Sequence, residues 1–528
     1  MIARAVSTDL SDAQLDGALD AFRAVVGAEN LLTGADALEF RDPFWYRDWQ
    51  DYDASAVVQP ASVEEVQAIV RIADERRVPI WTTSQGRNNG YGGSSPRVKG
   101  SVVMNLRRMN RIVEIDEELG YAVVEPGVSF FDLCEALREG GHRLLASIPD
   151  LGWGSVIGNS LEHGFTYMPY GSDFAAPCGM EVVLANGELL RTGMGAMPDN
   201  SCWHLYKRAF GPMLDQLFMQ SNFGVVVKMG LHLMPFPEVI APIWLNVPRD
   251  TDLIPLIDTV RRLLLDRTLE GVTRMYNTLL YASLLEKRTR WYEGEGPTPD
   301  HIIDQVARDL GLGRWCLHTA LWEDTAVADY KIEKITAAFE QIPGAELRIT
   351  RHAPEEIAEA GSPSDRVLGG VPQMAFMTML GWYGTQAAAH LGNGPIAPMV
   401  GKEAYRLHTI CRDVIENEQQ LDYFASPMAI SARSYMHACG AIWDINSEEE
   451  TRLSYETCRR ITEETAKAGF GEYRAHLDVM DLVADTYSFG DHAYRRFLER
   501  IKDAVDPNGI LAPGKQSIWP ASYRVPKV

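Results

Sequence analysis

The chain has 528 residues, 46% hydrophobic and 23% charged, enough to bury the cores of two or more domains of an ordinary soluble protein. A formal net charge of −22 argues against nucleic acid or an anionic membrane as a partner. No apolar run reaches the length of about 18 residues needed for a span, and the stretch after Met1 lacks a signal-type apolar segment, so a cytoplasmic protein is expected.

Taken in chain order, Ser11 and Gln14 form a capping box ahead of the apolar face Leu15, Ala18, Leu19, Phe22 and Val26, and Gly27 is the predicted stop. Residues 55–60 read as a strand. Ser62 with Glu65 opens a helix with the face Val66, Ile69, Val70 and Ala73, and residues 78–83 read as a second strand. Strands follow at 101–106, 112–115 and 121–126, then a helix from Ser129 to about Arg138. A hairpin over 179–193 turns on Asn186-Gly187, and a long strand covers 225–235. This order is α+β, not a regular βαβ array. From about Phe236 to Phe470, proline-rich turns alternate with helices and strands; Ser447 with Glu450 caps one helix and Gly469 ends it. The last segment reads as a helix, a turn and an extended tail.

Seven scattered cysteines without a Cys-x-x-Cys pair fit reduced thiols and exclude a covalent c-type haem or a zinc ribbon. No metal-ligand spacing such as His-Glu-x-x-His occurs, and no metal is expected. The loop "TTSQGRNNGYGGSS", Thr82 to Ser95, has neither the lysine of a Walker loop nor the dinucleotide spacing. Its glycines and asparagines permit positive φ and bare amides that can hold an anionic oxygen, although a plain surface turn fits equally well. Two further stretches, 150–171 and 220–230, are also turn-rich and poor in charge. Together the three suggest a long ligand lying across backbone.

These stretches, with "PDLGWGSVIGN" (149–159), "PYG" (169–171), "EVVLANGELLRTGMGAMP" (181–198), "QSNFG" (220–224), "GFGEYRAH" (469–476) and "DPNGILAPGK" (506–515), resemble the flavoprotein family of vanillyl-alcohol oxidase and p-cresol methylhydroxylase. Within that family the chain looks closest to the bacterial eugenol oxidase branch. The resemblance runs along nearly the whole chain. It implies a two-domain fold of the p-cresol methylhydroxylase (PCMH) type: a FAD-binding domain over 1–236, a substrate-binding cap over 237–470, and a segment 471–528 that returns to the FAD domain. The first loop, Thr83, Ser84, Gln85, Gly86, Arg87, Asn88, Asn89 and Gly90, would wrap the FAD pyrophosphate. Pro149, Gly152, Ser155, Gly158 and Asn159 would hold FAD from the second stretch. Tyr170, Gly171, Glu181, Gly224, Val225 and Lys515 complete the implied cofactor set.

The same resemblance brings Tyr91, Tyr473 and Arg474 together around a phenol oxygen, with Arg474 also near FAD, and puts Asp150 beside the reactive flavin nitrogen as a base. Hydride removal para to a phenol is easy only from the phenolate. Lowering a phenol pKa of about 10 by about 3 units takes about 4 kcal/mol, within reach of three charge-assisted hydrogen bonds. His390 is implied as the covalent flavin link, although the residues after it depart from the family pattern. Ala389, Asn393 and His437 are implied as pocket wall. Small residues near His390, with Gly440 and Ala441, suggest a roomy pocket. The expected protein is a homodimer or larger assembly that oxidises para-substituted phenols through a p-quinone methide and passes electrons to dioxygen. A dehydrogenase coupled to a separate cytochrome and a flavin carrier without turnover are the alternatives. Consumption of oxygen with a phenol would separate all three.

Overall fold

A computed structural model describes residues 6–44, 52–170 and 176–524. The capping signals act as read. Ser11 and Gln14 form a reciprocal box on the helix Asp12–Val26, which ends at Gly27 with φ 87°. Ser62 caps Val63–Arg76, Ser129 caps Phe130–Glu139 and Ser447 caps Glu448–Lys467. Each serine hydroxyl accepts from an amide one turn on, which helix geometry would otherwise leave unpaired.

The N-terminal part carries two sheets. The first runs in the order Leu31–Leu32, Ala56–Val58, Val102–Asn105 and Ile80–Thr83. Its last three strands are parallel, and the helix Val63–Arg76 makes the crossover. The second is antiparallel, in the order Leu189–Arg191, Pro177–Val183, Val225–His232, Tyr121–Val124 and Ile112–Asp116. Its 177–191 hairpin turns through Gly187 at φ 77°, the sign a two-residue Asn-Gly turn demands.

The chain then builds a nine-stranded sheet from strands between Val239 and Glu472. The long strand Ser434–Asp444 is its spine. Both Ala388–Asn393 and Pro395–Pro398 pair with one edge of it, and Phe424–Ala429 pairs with the other. The helices Leu253–Leu265, Gly401–Arg412 and Glu448–Lys467 bury their apolar faces against this sheet. Beyond it the chain returns: Ile80 donates to Ile510 O at 2.7 Å and Ala512 donates to Ile80 O at 2.7 Å. The end of the chain thus extends the first N-terminal sheet. Lys502, fully buried, locks the return by donating to Asn222 O and Leu511 O, each at 2.6 Å, and pairing with Asp506.

Among the described residues no helix is long and apolar enough to cross a membrane. All seven cysteines are free thiols.

Candidate functional site

A cavity of ≈ 430 Å³ opens where the two N-terminal sheets, the nine-stranded sheet and the returning segment meet. The loop after the strand Ile80–Thr83 forms one wall. Thr83, Ser84, Gln85, Gly86, Arg87, Asn88, Asn89 and Tyr91 all line it. The loop holds its shape through Asn88, whose Oδ1 accepts from Gly93 N at 3.1 Å, and through Gly92 and Gly93, at φ 102° and 58°. A Cβ on Gly92 would fall 2.0 Å from Leu477, so only glycine lets the loop close on the returning segment. Arg87 is exposed, lies over the Trp153 ring and donates to Trp153 O at 3.3 Å.

The opposite wall is the second glycine-rich stretch. Pro149, Asp150, Ser155, Gly158 and Asn159 line the cavity. Ser155 caps the short helix Val156–Leu161, and Gly158 lets it approach Ser84, whose Oγ would sit 2.4 Å from an added Cβ. Gly224 and Val225 close the floor, and Lys515 lines the same space while paired with Glu162.

Tyr91, Tyr473 and Arg474 do come together. The Arg474 guanidinium carbon lies 3.9 Å from the Tyr91 ring centroid, and Arg474 hydrogen-bonds the Tyr473 side chain. Tyr473 is seated by Gln220, which donates to its carbonyl at 3.1 Å, and by Phe165, 5.5 Å away ring to ring. Burial raises both tyrosine pKa values, so the hydroxyls remain neutral donors, while Arg474 stays a cation.

Asp150 is held from behind. Tyr167 Oη donates to its Oδ2 at 2.6 Å and Arg274 Nη1 to its Oδ1. Arg274, on the buried strand Thr273–Asn277, lies over the Tyr167 ring at 4.0 Å. Its Nη2 is 2.7 Å from His318 Nδ1, and His318 Nε2 is 2.9 Å from Asp365 Oδ1. Arginine has no acceptor, so His318 Nδ1 must accept and its proton must sit on Nε2, facing Asp365. Burial, aided by the Arg274 charge, brings the His318 pKa down to about 4. A single chain, Asp150–Arg274–His318–Asp365, therefore fixes the carboxylate at the cavity wall.

His390 lies beside the cavity rather than in its lining. Its ring packs on Gly90, where a Cβ would meet Cε1 at 2.7 Å, and on Phe44, 5.2 Å away. Burial pushes its imidazole down to about 4, so it is neutral with a free lone pair. Gly90 thus serves as the seat of His390 and not as cavity wall.

Several expected residues lie elsewhere. Ala389 and Asn393 alternate with His390 along the strand Ala388–Asn393 and face the other way. Ala389 is in the core with Trp443, Tyr455 and Cys458, and Asn393 donates to Cys458 O, Thr462 and Glu472. His437 is fully buried behind Met436 and Ala438, which take the cavity side. Its Nδ1 and Nε2 face the Tyr435 and Tyr423 hydroxyls. Cys411 and Cys439 lie within 4.8 Å of it, but both ring nitrogens are already engaged. Glu181 pairs with Arg191 and Lys228 on the face of its own sheet, away from the cavity. Gly152 packs on Pro372 and Phe131, and Tyr170 is exposed. Gly171 falls outside the described residues. The small residues do not enlarge the space either: a Cβ on Gly440 would strike Leu391 O at 2.1 Å, and Ala441 is core. Phe376, Met428, Met436 and Ala438 line that side instead.

The cavity suits a flavin nucleotide. Ser221 Oγ, Asn222 Oδ1 and Trp153 Nε1 are buried at its wall without a hydrogen-bond partner among the described residues. Such groups are destabilising unless a ligand satisfies them. Sequence reading passed over all three, although Ser221 and Asn222 sit in the quoted 220–224 stretch. It also missed Arg274, whose role depends on a strand 124 residues from Asp150.

Comparison with known proteins agrees. Residues 54–193 match the family described as FAD binding domain. The 4-cresol dehydrogenase [hydroxylating] flavoprotein subunit of Pseudomonas putida is 32% identical over 96% of each chain. Among solved structures, 4-ethylphenol oxidase from Gulosibacter chungangensis, in an isoeugenol complex, superposes with TM-score 0.93 at 36% identity, covering 98% of this chain and 100% of that one. p-Cresol methylhydroxylase with substrate bound gives 0.92 at 31%, with coverage of 98% and 100%.

Proposed function

The chain belongs to the flavoprotein family of 4-cresol dehydrogenase and p-cresol methylhydroxylase, has its fold and binds FAD, and from that premise we propose that it is an oxidase of para-substituted phenols. The observation that carries this reading is the convergence of Tyr91, Tyr473 and Arg474 on one end of the cavity. Two neutral hydroxyls and one cation suit an anionic oxygen on a flat ring, and they favour the phenolate over the phenol. In the domain division we propose, residues 1–236 and 471–528 bind FAD and 237–470 form the cap.

When bound, FAD would supply a hydride acceptor whose electrons dioxygen could take, giving hydrogen peroxide. The chain's own residues do the rest. The loop amides from Thr83 to Asn89, with Ser155, Gly158 and Asn159, hold the cofactor. Neutral His390 would offer the ring nitrogen through which the cofactor could be held covalently. Tyr91, Tyr473 and Arg474 hold the phenolate oxygen, so that hydride loss from the benzylic carbon of the para substituent leaves a neutral p-quinone methide. Asp150, fixed by Arg274 and Tyr167, places a carboxylate where it can take a proton from water adding to that carbon, or from the substrate. Phe376, Met428 and Met436 give an apolar wall, and flexible methionines adapt to alkyl, allyl and hydroxybenzylic side chains.

A dehydrogenase that hands electrons to a separate cytochrome is the second reading, favoured by the name of the Pseudomonas putida relative. Its oxygen consumption with a phenol would be nil. The reading as a phenol oxidase is tested by comparing 4-ethylphenol with its methyl ether, which cannot ionise. Turnover of the phenol alone is expected. Arg474→Ala should lower kcat/KM by about 3 kcal/mol, roughly a hundredfold. Equal rates on phenol and ether would refute the oxygen clamp.

A further inference from the structure

Behind the oxygen clamp lies a second carboxylate with no part in the reaction as described. Glu472 is 3% exposed, on the strand Gly471–Glu472 that pairs with Pro395–Ile396. Gly394 N donates to both of its oxygens, at 2.8 and 3.0 Å, and Asn393 Nδ2 donates at 3.2 Å. The backbone amides of Tyr473 and Arg474 also donate to it. One carboxylate therefore ties the clamp residues to the strand that carries His390. Gly394 completes the joint, because a Cβ there would lie 2.9 Å from the Tyr473 ring.

The charges around Glu472 come from every element packed on it. Tyr91, from the cofactor loop, and Tyr473 both feel its charge. So do Cys458 of the helix Glu448–Lys467, Cys439 of the strand Ser434–Asp444, and Tyr487. Tyr487 Oη donates to the Glu472 main-chain carbonyl at 2.8 Å. All of these are groups that become negative when they ionise; Arg474, two residues on in the chain, is the cation of the clamp itself. Among the described residues no arginine or lysine forms an ion pair with the carboxylate, and its donors are amides. Burial accordingly raises its pKa to about 7 against those amide bonds.

We propose that Glu472 is a positioning and proton-holding residue of this site: it fixes Tyr473 and Arg474 on the His390 strand and takes up a proton when a phenolate fills the clamp. The inference rests on the reading of that clamp as a phenolate site. Glu472 lies behind the clamp and not in the cavity lining, yet two anions on either side of the same buried residues disfavour each other's ionised form, so the arriving phenolate shifts Glu472 toward the acid. For a neutral phenol the proton count then closes: the phenol gives a proton to water, Glu472 takes one from water, and binding is nearly proton-neutral.

The test uses the FAD-loaded protein and 4-nitrophenol at pH 8.5, where this probe is already ionised and carries no benzylic carbon at the para position to oxidise. Titration calorimetry in buffers of different ionisation heat counts the protons. Native protein should take up about one proton per probe bound, and Glu472→Gln none. From pH 7 to 9 the native affinity for the anion should fall up to about tenfold per pH unit, while the variant stays flat. A purely structural role would weaken Glu472→Gln by the same factor at every pH, with unchanged proton counts, and that would overturn the proposal. So would absence of uptake by the native protein, which needs no variant. Binding with no uptake condemns Glu472 alone; no binding, and no change in the flavin spectrum, condemns the phenolate site as well.

Discussion

At the scale of single residues, the site is organised by what stands behind each reacting group. Asp150 meets the cavity, but Arg274 and Tyr167 decide where its oxygens point, and His318 with Asp365 decides where Arg274 points. A buried ion pair contributes little by its presence, yet breaking one side is destabilising by about 3–5 kcal/mol, because the other charge is left alone. Arg274→Met should therefore cost stability of that order and release Asp150. The expected result is a fall in kcat of roughly a hundredfold at saturating phenol, about 3 kcal/mol, with FAD still bound. Steady-state rates on the FAD-loaded variant check it, and an unchanged kcat would show that Asp150 needs no such support. The Tyr91–Arg474 pair was legible because its residues lie inside recognisable motifs. Arg274 was not, since its partners Asp150 and His318 lie far along the chain, and Glu472, although inside the same motif as Tyr473, is marked out only by its bonds to Asn393 and Gly394.

At the scale of elements, the strand Ala388–Asn393 decides most. Its period-2 alternation sends His390 toward Gly90 and Phe44, and Ala389 and Asn393 into the core. The sequence "AAAHLGNG" contains too few large apolar residues to reveal which face is buried, which is why Ala389 and Asn393 read as pocket wall. His437 misled for the same reason: on Ser434–Asp444 it is Met436 and Ala438 that face the cavity. The helices were easier. Ser11, Ser62, Ser129 and Ser447 announce their helices through local hydrogen bonds that any context preserves. The placing of His390 has a direct consequence. Flavin should remain with the protein through SDS denaturation, and His390→Ala should release it. Fluorescent flavin on a denaturing gel measures this; a band in the variant would put the link on another residue.

At the scale of the whole molecule, pH acts on buried histidines and on Glu472 in opposite senses. Burial lowers the His318 pKa to about 4 and that of His437 well below the ordinary value of 6.5. The unfolded chain therefore binds protons first as pH falls. The stability His318 contributes is complete above pH 6.5 and is lost between 6.5 and about 4, about 3 kcal/mol, and His437 adds a loss of the same sign below 6.5. Glu472, with its pKa raised to about 7, is most stabilising in its acid form below about 4.5 and loses that contribution as pH rises through 7. Two histidines outweigh one glutamate, so the thermal midpoint should fall from pH 6.5 to 4.5, and more steeply in Glu472→Gln. Tryptophan fluorescence melts across that range check it; a flat or rising midpoint would contradict the buried neutral histidines.

In the proposed reading, FAD and a phenolate meet in the cavity between the glycine-rich loops and the nine-stranded sheet, and dioxygen takes the electrons. The most direct measurement is the flavin spectrum of the purified protein mixed with 4-ethylphenol without air, followed by admission of air. Loss of the oxidised flavin bands is expected in the first step. In the second, the bands should return, with oxygen consumed and hydrogen peroxide formed. Bands that persist with the phenol would contradict phenol oxidation, and bands that fade but do not return in air would contradict dioxygen as the acceptor.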